Sequence, residues 1–127
     1  MSADQATTVA SYLWNVFQAA ARKALLGVQV EVAELLVMPG LAVSPWLNHN
    51  RTTLATAMTE LFQQLEAKPD GRGHARVALA VARFGGGAQC RALVTPIQDL
   101  SEKHNIMQYV LKWLKNDVEC EALLGFA

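Results

Sequence analysis

The residues best suited to chemistry are five basic side chains in one acid-free stretch. Between Asp70 and Asp99 stand Arg72, His74, Arg76, Arg83 and Arg91, with no Asp or Glu among them. A guanidinium is a planar fork of N–H donors that matches a carboxylate or phosphate through two parallel bonds. The runs 75–84 and 88–97 read as strands flanking Gly85, Gly86 and Gly87, the pattern of a β-hairpin. A three-glycine turn sets Val81 opposite Arg91 and makes Arg83 and Arg91 diagonal neighbours, about 8 Å apart on one face. A turn of two or four residues puts them on opposite faces and removes the clamp. Arg83, Arg91, Arg76 and His74 are therefore the candidate ligand-binding set, for a small anion or a nucleic-acid backbone. The competing role for these arginines is to keep an apolar hairpin soluble or to pair with surface glutamates.

Other chemistry is poorly supported. The glycines join two strands, and no Gly-Lys-Ser/Thr follows them, so a tight turn fits better than a phosphate cradle. His49, His74 and His104 are widely spaced, with no HxH or HExxH, and no metal site is expected. Cys90 and Cys120 lack metal-ligand spacing and read as free, buried thiols. Ser11, Ser44 and Ser101 lack a nucleophile elbow. Glu31–Glu34 and Glu119–Glu121 are carboxylate pairs with no evident shared cleft. The expectation is no catalytic residue and no cofactor, with a small enzyme centred on His49 or His74 only as a second alternative.

Apolar surface offers a different function. Trp46 sits beside Leu41, Val43 and Leu47 in a segment, 39–50, that reads as a loop. Connecting loops are usually polar. Four large apolar residues there must fold back on the core or meet a partner. Trp46, Leu41, Val43 and Leu47 are thus the candidate partner-binding residues. Trp14 and Trp113 lie on helix faces that carry core residues.

These residues hang on elements that periodicity predicts unevenly. A helix is expected over 3–26, with Val9, Leu13, Val16, Phe17, Ala20 and Ala24 on its core face, a Ser2–Gln5 capping box and Gly27 just past its end. Segment 28–38 carries both strand and helix signals. Val28, Val30 and Val32 alternating with Gln29 and Glu31 favour a strand. Asn50 caps a helix expected to reach about Lys68, with Leu54, Met58, Leu61, Phe62 and Leu65 as its stripe. Asp99 and Glu102 open a last helix bearing Ile106, Met107, Val110, Leu111, Trp113, Leu114 and Val118. The tail 119–127 reads as a strand or a further helical turn.

The order predicts an α+β fold: an N-terminal helix, then a ferredoxin-like β-α-β-β-α-β arrangement with an antiparallel sheet covered by helices. The 127 residues form one domain, 52% hydrophobic and 17% charged, with eleven basic side chains balancing eleven acidic ones. That composition excludes disorder and a general nucleic-acid coat. Nucleic acid also ranks low because the expected hairpin strands carry no mid-strand aromatic. No spanning segment and no export signal are visible, so a cytoplasmic protein is expected. The leading functional reading is a non-catalytic interaction module, self-associating or binding another protein. The alternative is a binder of a small anionic molecule.

Overall fold

The computed structural model describes residues 1–65 and 72–114, and these are helical. The elements are α1 (Ala3–Arg22), α2 (Leu26–Leu36), a 3-10 turn (Pro39–Leu41), α3 (Pro45–His49), α4 (Arg51–Gln64), α5 (Arg72–Gly85), α6 (Gly87–Val94) and α7 (Leu100–Leu114). No strand occurs among the described residues, which overturns the α+β, ferredoxin-like expectation. Helix α5 is central and packs against α2, α4, α6 and α7, while α1 packs on α2, the 3-10 turn and α3.

The expected hairpin is where the reading fails most. Residues 75–84 form most of α5, and residues 88–94 lie in α6. In α5, His74, Ala75 and every residue from Val77 to Ala82 are buried. Apolar groups on both faces of an alternating run fit a strand between layers. A helix surrounded by other helices is equally apolar all round. Alanine, every second residue here, has the highest helix propensity and lets neighbours approach closely. The glycines still turn the chain, but from helix to helix. Gly86 has φ 94° and ψ 161° and stands at the N-cap of α6.

The expected strand over 28–38 is also helical. In α2 the buried positions are Gln29, Val30, Val32, Ala33 and Leu36, an i, i+3, i+4, i+7 face with Val30 beside it. Val28 and Leu35 face outward. The β preference of valine is weak against the burial of that face.

The three periodic helices form, though α1 and α4 are shorter than expected, α4 stopping at Gln64 with Leu65 extended at φ −73°, ψ 133°. Ser2 Oγ accepts from Gln5 N at 3.1 Å, and Gln5 Oε1 accepts from Ser2 N at 2.9 Å, completing the capping box of α1. The buried face of α1 is Ala6, Ala10, Phe17 and Ala20, whereas Val9 is exposed. The helix ends at Arg22, earlier than expected. Ala24 N bonds Ala21 O at 3.1 Å and Leu25 N bonds Ala20 O at 2.9 Å, a Schellman motif. Its left-handed residue is Ala24, at φ 55°, and not Gly27, which lies inside α2. Helix α4 buries Leu54, Met58, Leu61 and Phe62, with Leu65 packed beside them. Asp99 Oδ1 accepts from the Ser101 and Glu102 amides, at 2.9 and 3.1 Å, and caps α7. Ile106, Val110 and Leu114 are buried there, while Trp113 is exposed. Lys68, Val118, Cys120, the Glu119–Glu121 pair and the 119–127 tail lie outside the described residues.

Candidate functional site

The segment expected to be an apolar loop decides where the site lies. Met38 to Asn50 is mostly structured, as the 3-10 turn and the short helix α3. Ser44 is fully buried. Its Oγ caps α3 by accepting from Leu47 N at 3.3 Å and lies 2.8 Å from Thr7 Oγ1 of α1. Leu41 and Leu47 are buried, Trp46 is half-buried against the core, and Val43 is 52% exposed. The apolar side chains have folded back, so of the four partner-binding candidates Val43 is the one largely presented to solvent.

This packed segment forms one wall of a cleft of about 330 Å3, the volume of a small-ligand site. The end of α2 (Leu36, Val37, Met38), Ala42 and Leu47 supply apolar wall, and Ala82, Phe84 and Leu114 close it. Three polar side chains line it: Asn48, Arg51 and Arg83. Among the described residues no carboxylate lines it.

The two arginines are held by helix ends. Arg51 begins α4, and its Nη2 donates to the carbonyl of Arg83 at 2.7 Å. Arg83 lies in the last turn of α5, and its Nη2 donates to the carbonyl of Trp113 at 2.8 Å. Each guanidinium therefore donates to a backbone carbonyl contributed by another helix. Those two bonds do not exhaust two five-donor forks. Arg83 Nε is buried without a hydrogen-bond partner. Neither Arg51 nor Arg83 forms an ion pair among the described residues. The cleft therefore has a cationic rim over an apolar wall, with a buried N–H lacking an acceptor.

The other ligand-binding candidates are placed elsewhere. Arg83 and Arg91 are not cross-strand neighbours, because no hairpin exists. Arg91 is exposed on α6 and does not line this cleft. Arg76 is already paired: its Nη1 lies 2.8 Å from Glu31 Oε1 and its Nε 3.2 Å from Glu34 Oε2. Partial burial pulls the Arg76 guanidinium down, but the Glu31 hydrogen bond and the charges of Glu34 and Glu31 outweigh it and hold it above its ordinary value. The Glu31–Glu34 pair thus serves as an anchor for Arg76, tying α2 to α5. His74 is buried, with Nδ1 2.8 Å from Glu102 Oε1 and Nε2 3.1 Å from Leu65 O. Its ring lies 4.7 Å from that of Phe62. This contact joins α5, α7 and the end of α4 and leaves no ring nitrogen for a ligand. The capping box at Asp99 is consequently half-built, since Glu102 turns to His74.

Metal-ligating and nucleophilic side chains are scattered among the described residues. No group of three His, Cys, Asp or Glu could hold a metal ion there. Cys90 is buried, and burial pushes its thiol up to about 12, so it is protonated at neutral pH. His49 and His104 are exposed and apart from the cleft lining.

Arg51 and Asn48 were not singled out from the sequence. Arg51 directly follows the Asn50 cap and looks like an ordinary first-turn residue. Only the return of 38–50 onto the core brings it beside Arg83. No protein-family model matches the chain, and neither a curated protein nor a solved structure shows significant similarity to it.

Proposed function

We propose that the protein is a non-catalytic binding module for a small organic anion bearing a short apolar tail. The observation that carries this reading is Arg83, whose buried Nε lacks a partner in a cleft that also holds Arg51 and, among the described residues, no carboxylate. A carboxylate or phosphate there takes the free N–H groups as charge-assisted bonds. The tail covers the apolar wall made by Val37, Leu47 and Phe84.

Calorimetric titration with hexanoate tests the reading, with 1-hexanol as the uncharged control. Hexanoate should bind saturably and more weakly as salt is raised, because the guanidiniums stand near water. Arg83→Lys keeps the charge and loses the fork, and should weaken binding about tenfold. Equal binding of hexanol, or unchanged affinity in Arg51→Gln/Arg83→Gln, would overturn it.

A second reading, self-association, is favoured by Val28, Leu35, Met38 and Val43, all large, apolar and exposed. Light scattering across a concentration series separates the two, since an anion-binding monomer stays a monomer.

A further inference from the structure

At the opposite ends of α2 and α4 from the arginine cleft, a second cavity of about 200 Å3 is bordered by α1, α2 and α4. A shallower cleft of about 390 Å3 shares Trp14, Ala57 and Glu60 with it. The chemistry of this groove is the reverse of the first. Among the described residues no Lys, Arg or His lines it, and Glu60 is the one ionisable group. Glu60 is exposed and joins no ion pair among the described residues. Trp14 and Phe17 stack at 5.3 Å with 15° between their planes, and both line the cavity. Gln29 also lines it. That side chain is 4% exposed, and its Oε1 has no hydrogen-bond partner.

An orphaned amide oxygen, an unpaired carboxylate and aromatic faces share one preference, a compact donor with positive charge. An anion would be repelled by Glu60, and a hydrocarbon would leave Gln29 Oε1 unsatisfied. We propose that this groove binds a small primary alkylammonium compound. Its N–H groups pair with Gln29 Oε1 and the Glu60 carboxylate, and its alkyl chain lies against Trp14 and Phe17. Glu60 itself lies about 14 Å along α4 from Arg51 of the anion cleft, judged from the nine-residue step between them at the helical rise.

The test is an NMR titration of the whole chain, followed at the Trp14 indole N–H and the Gln29 side-chain amide. The probes are n-butylammonium, 1-butanol and butyrate. The expected result is a saturable shift of both signals with n-butylammonium alone. Glu60→Gln, a surface change, should weaken that response about tenfold or more. Gln29→Met removes the orphan oxygen and should abolish the response without lowering the melting temperature. Absence of a saturable n-butylammonium shift, equal affinity for 1-butanol, or unchanged affinity in Glu60→Gln would each overturn the assignment. If Gln29→Met fails to fold, the Glu60→Gln comparison still decides.

Discussion

Gly27→Ala and Gly86→Ala should move stability in opposite directions. Gly27 lies in the first turn of α2, and a methyl group there meets nothing within 4 Å. Alanine restricts the unfolded chain and suits a helix, which gives about 0.4–1 kcal/mol of stabilisation. Gly86 has φ 94° and ψ 161°, a region open essentially to glycine alone, where a side chain costs about 1–3 kcal/mol. For 127 residues, about 2.1 cal/mol/K of unfolding entropy per residue makes 1 kcal/mol equal to about 4 °C in Tm. Gly27→Ala should then melt about 2–4 °C above the parent, and Gly86→Ala about 4–12 °C below it. Thermal unfolding followed by helical circular dichroism measures both. D-alanine at position 86, introduced by semisynthesis, should recover most of the loss, because its preferred backbone mirrors that of L-alanine. A Gly86→Ala protein melting within a degree of the parent would refute the α5–α6 junction described above.

Three further outcomes follow from single sites. Ala24→Gly should stabilise by about 0.5–1 kcal/mol, since an L-residue at φ 55° is relieved, and a lowered Tm would contradict the Schellman end of α1. In a Cys120→Ser background, Cys90 should resist thiol reagents in the folded protein at pH 8, its thiol being buried and pushed up to about 12. Rapid labelling without denaturant would contradict that burial. Glu102→Leu leaves buried His74 without its carboxylate and should cost about 1–3 kcal/mol, whereas His74→Phe/Glu102→Leu should cost less than the single change, as read from urea unfolding midpoints.

What the sequence revealed depended on whether burial was one-sided. Helices α1, α4 and α7 show stripes at the helical period and have polar residues at their starts. Segment 75–84 marks its polar side with two residues alone, although they fall on one helical face. Arg76 and Arg83 are its charged positions, seven residues apart, and the remaining residues are apolar. Its two-sided burial was legible, but a buried strand and a central helix share that signature over so short a run. In α2, three valines concealed a face formed by Gln29, Val32, Ala33 and Leu36, one member of which is polar. Arg83 was legible as a candidate because it sits in an acid-free stretch. Its proximity to Arg51 was not, because 32 positions separate them and the fold of 38–50 sets their approach. The capping box at Asp99 misled in a smaller way. The Glu102 carboxylate was free to serve the cap or a distant histidine, and the buried histidine holds it.

The binding of a small organic anion between Arg51 and Arg83 is tested most directly by a residue-resolved 1H–15N shift map with hexanoate. Saturable shifts are expected at the amides of Val37, Met38, Asn48, Arg51 and Phe84, with the Trp14 indole unmoved. Saturable shifts confined to α1 or to the exposed residues of α2, or no saturation at any amide, would contradict it.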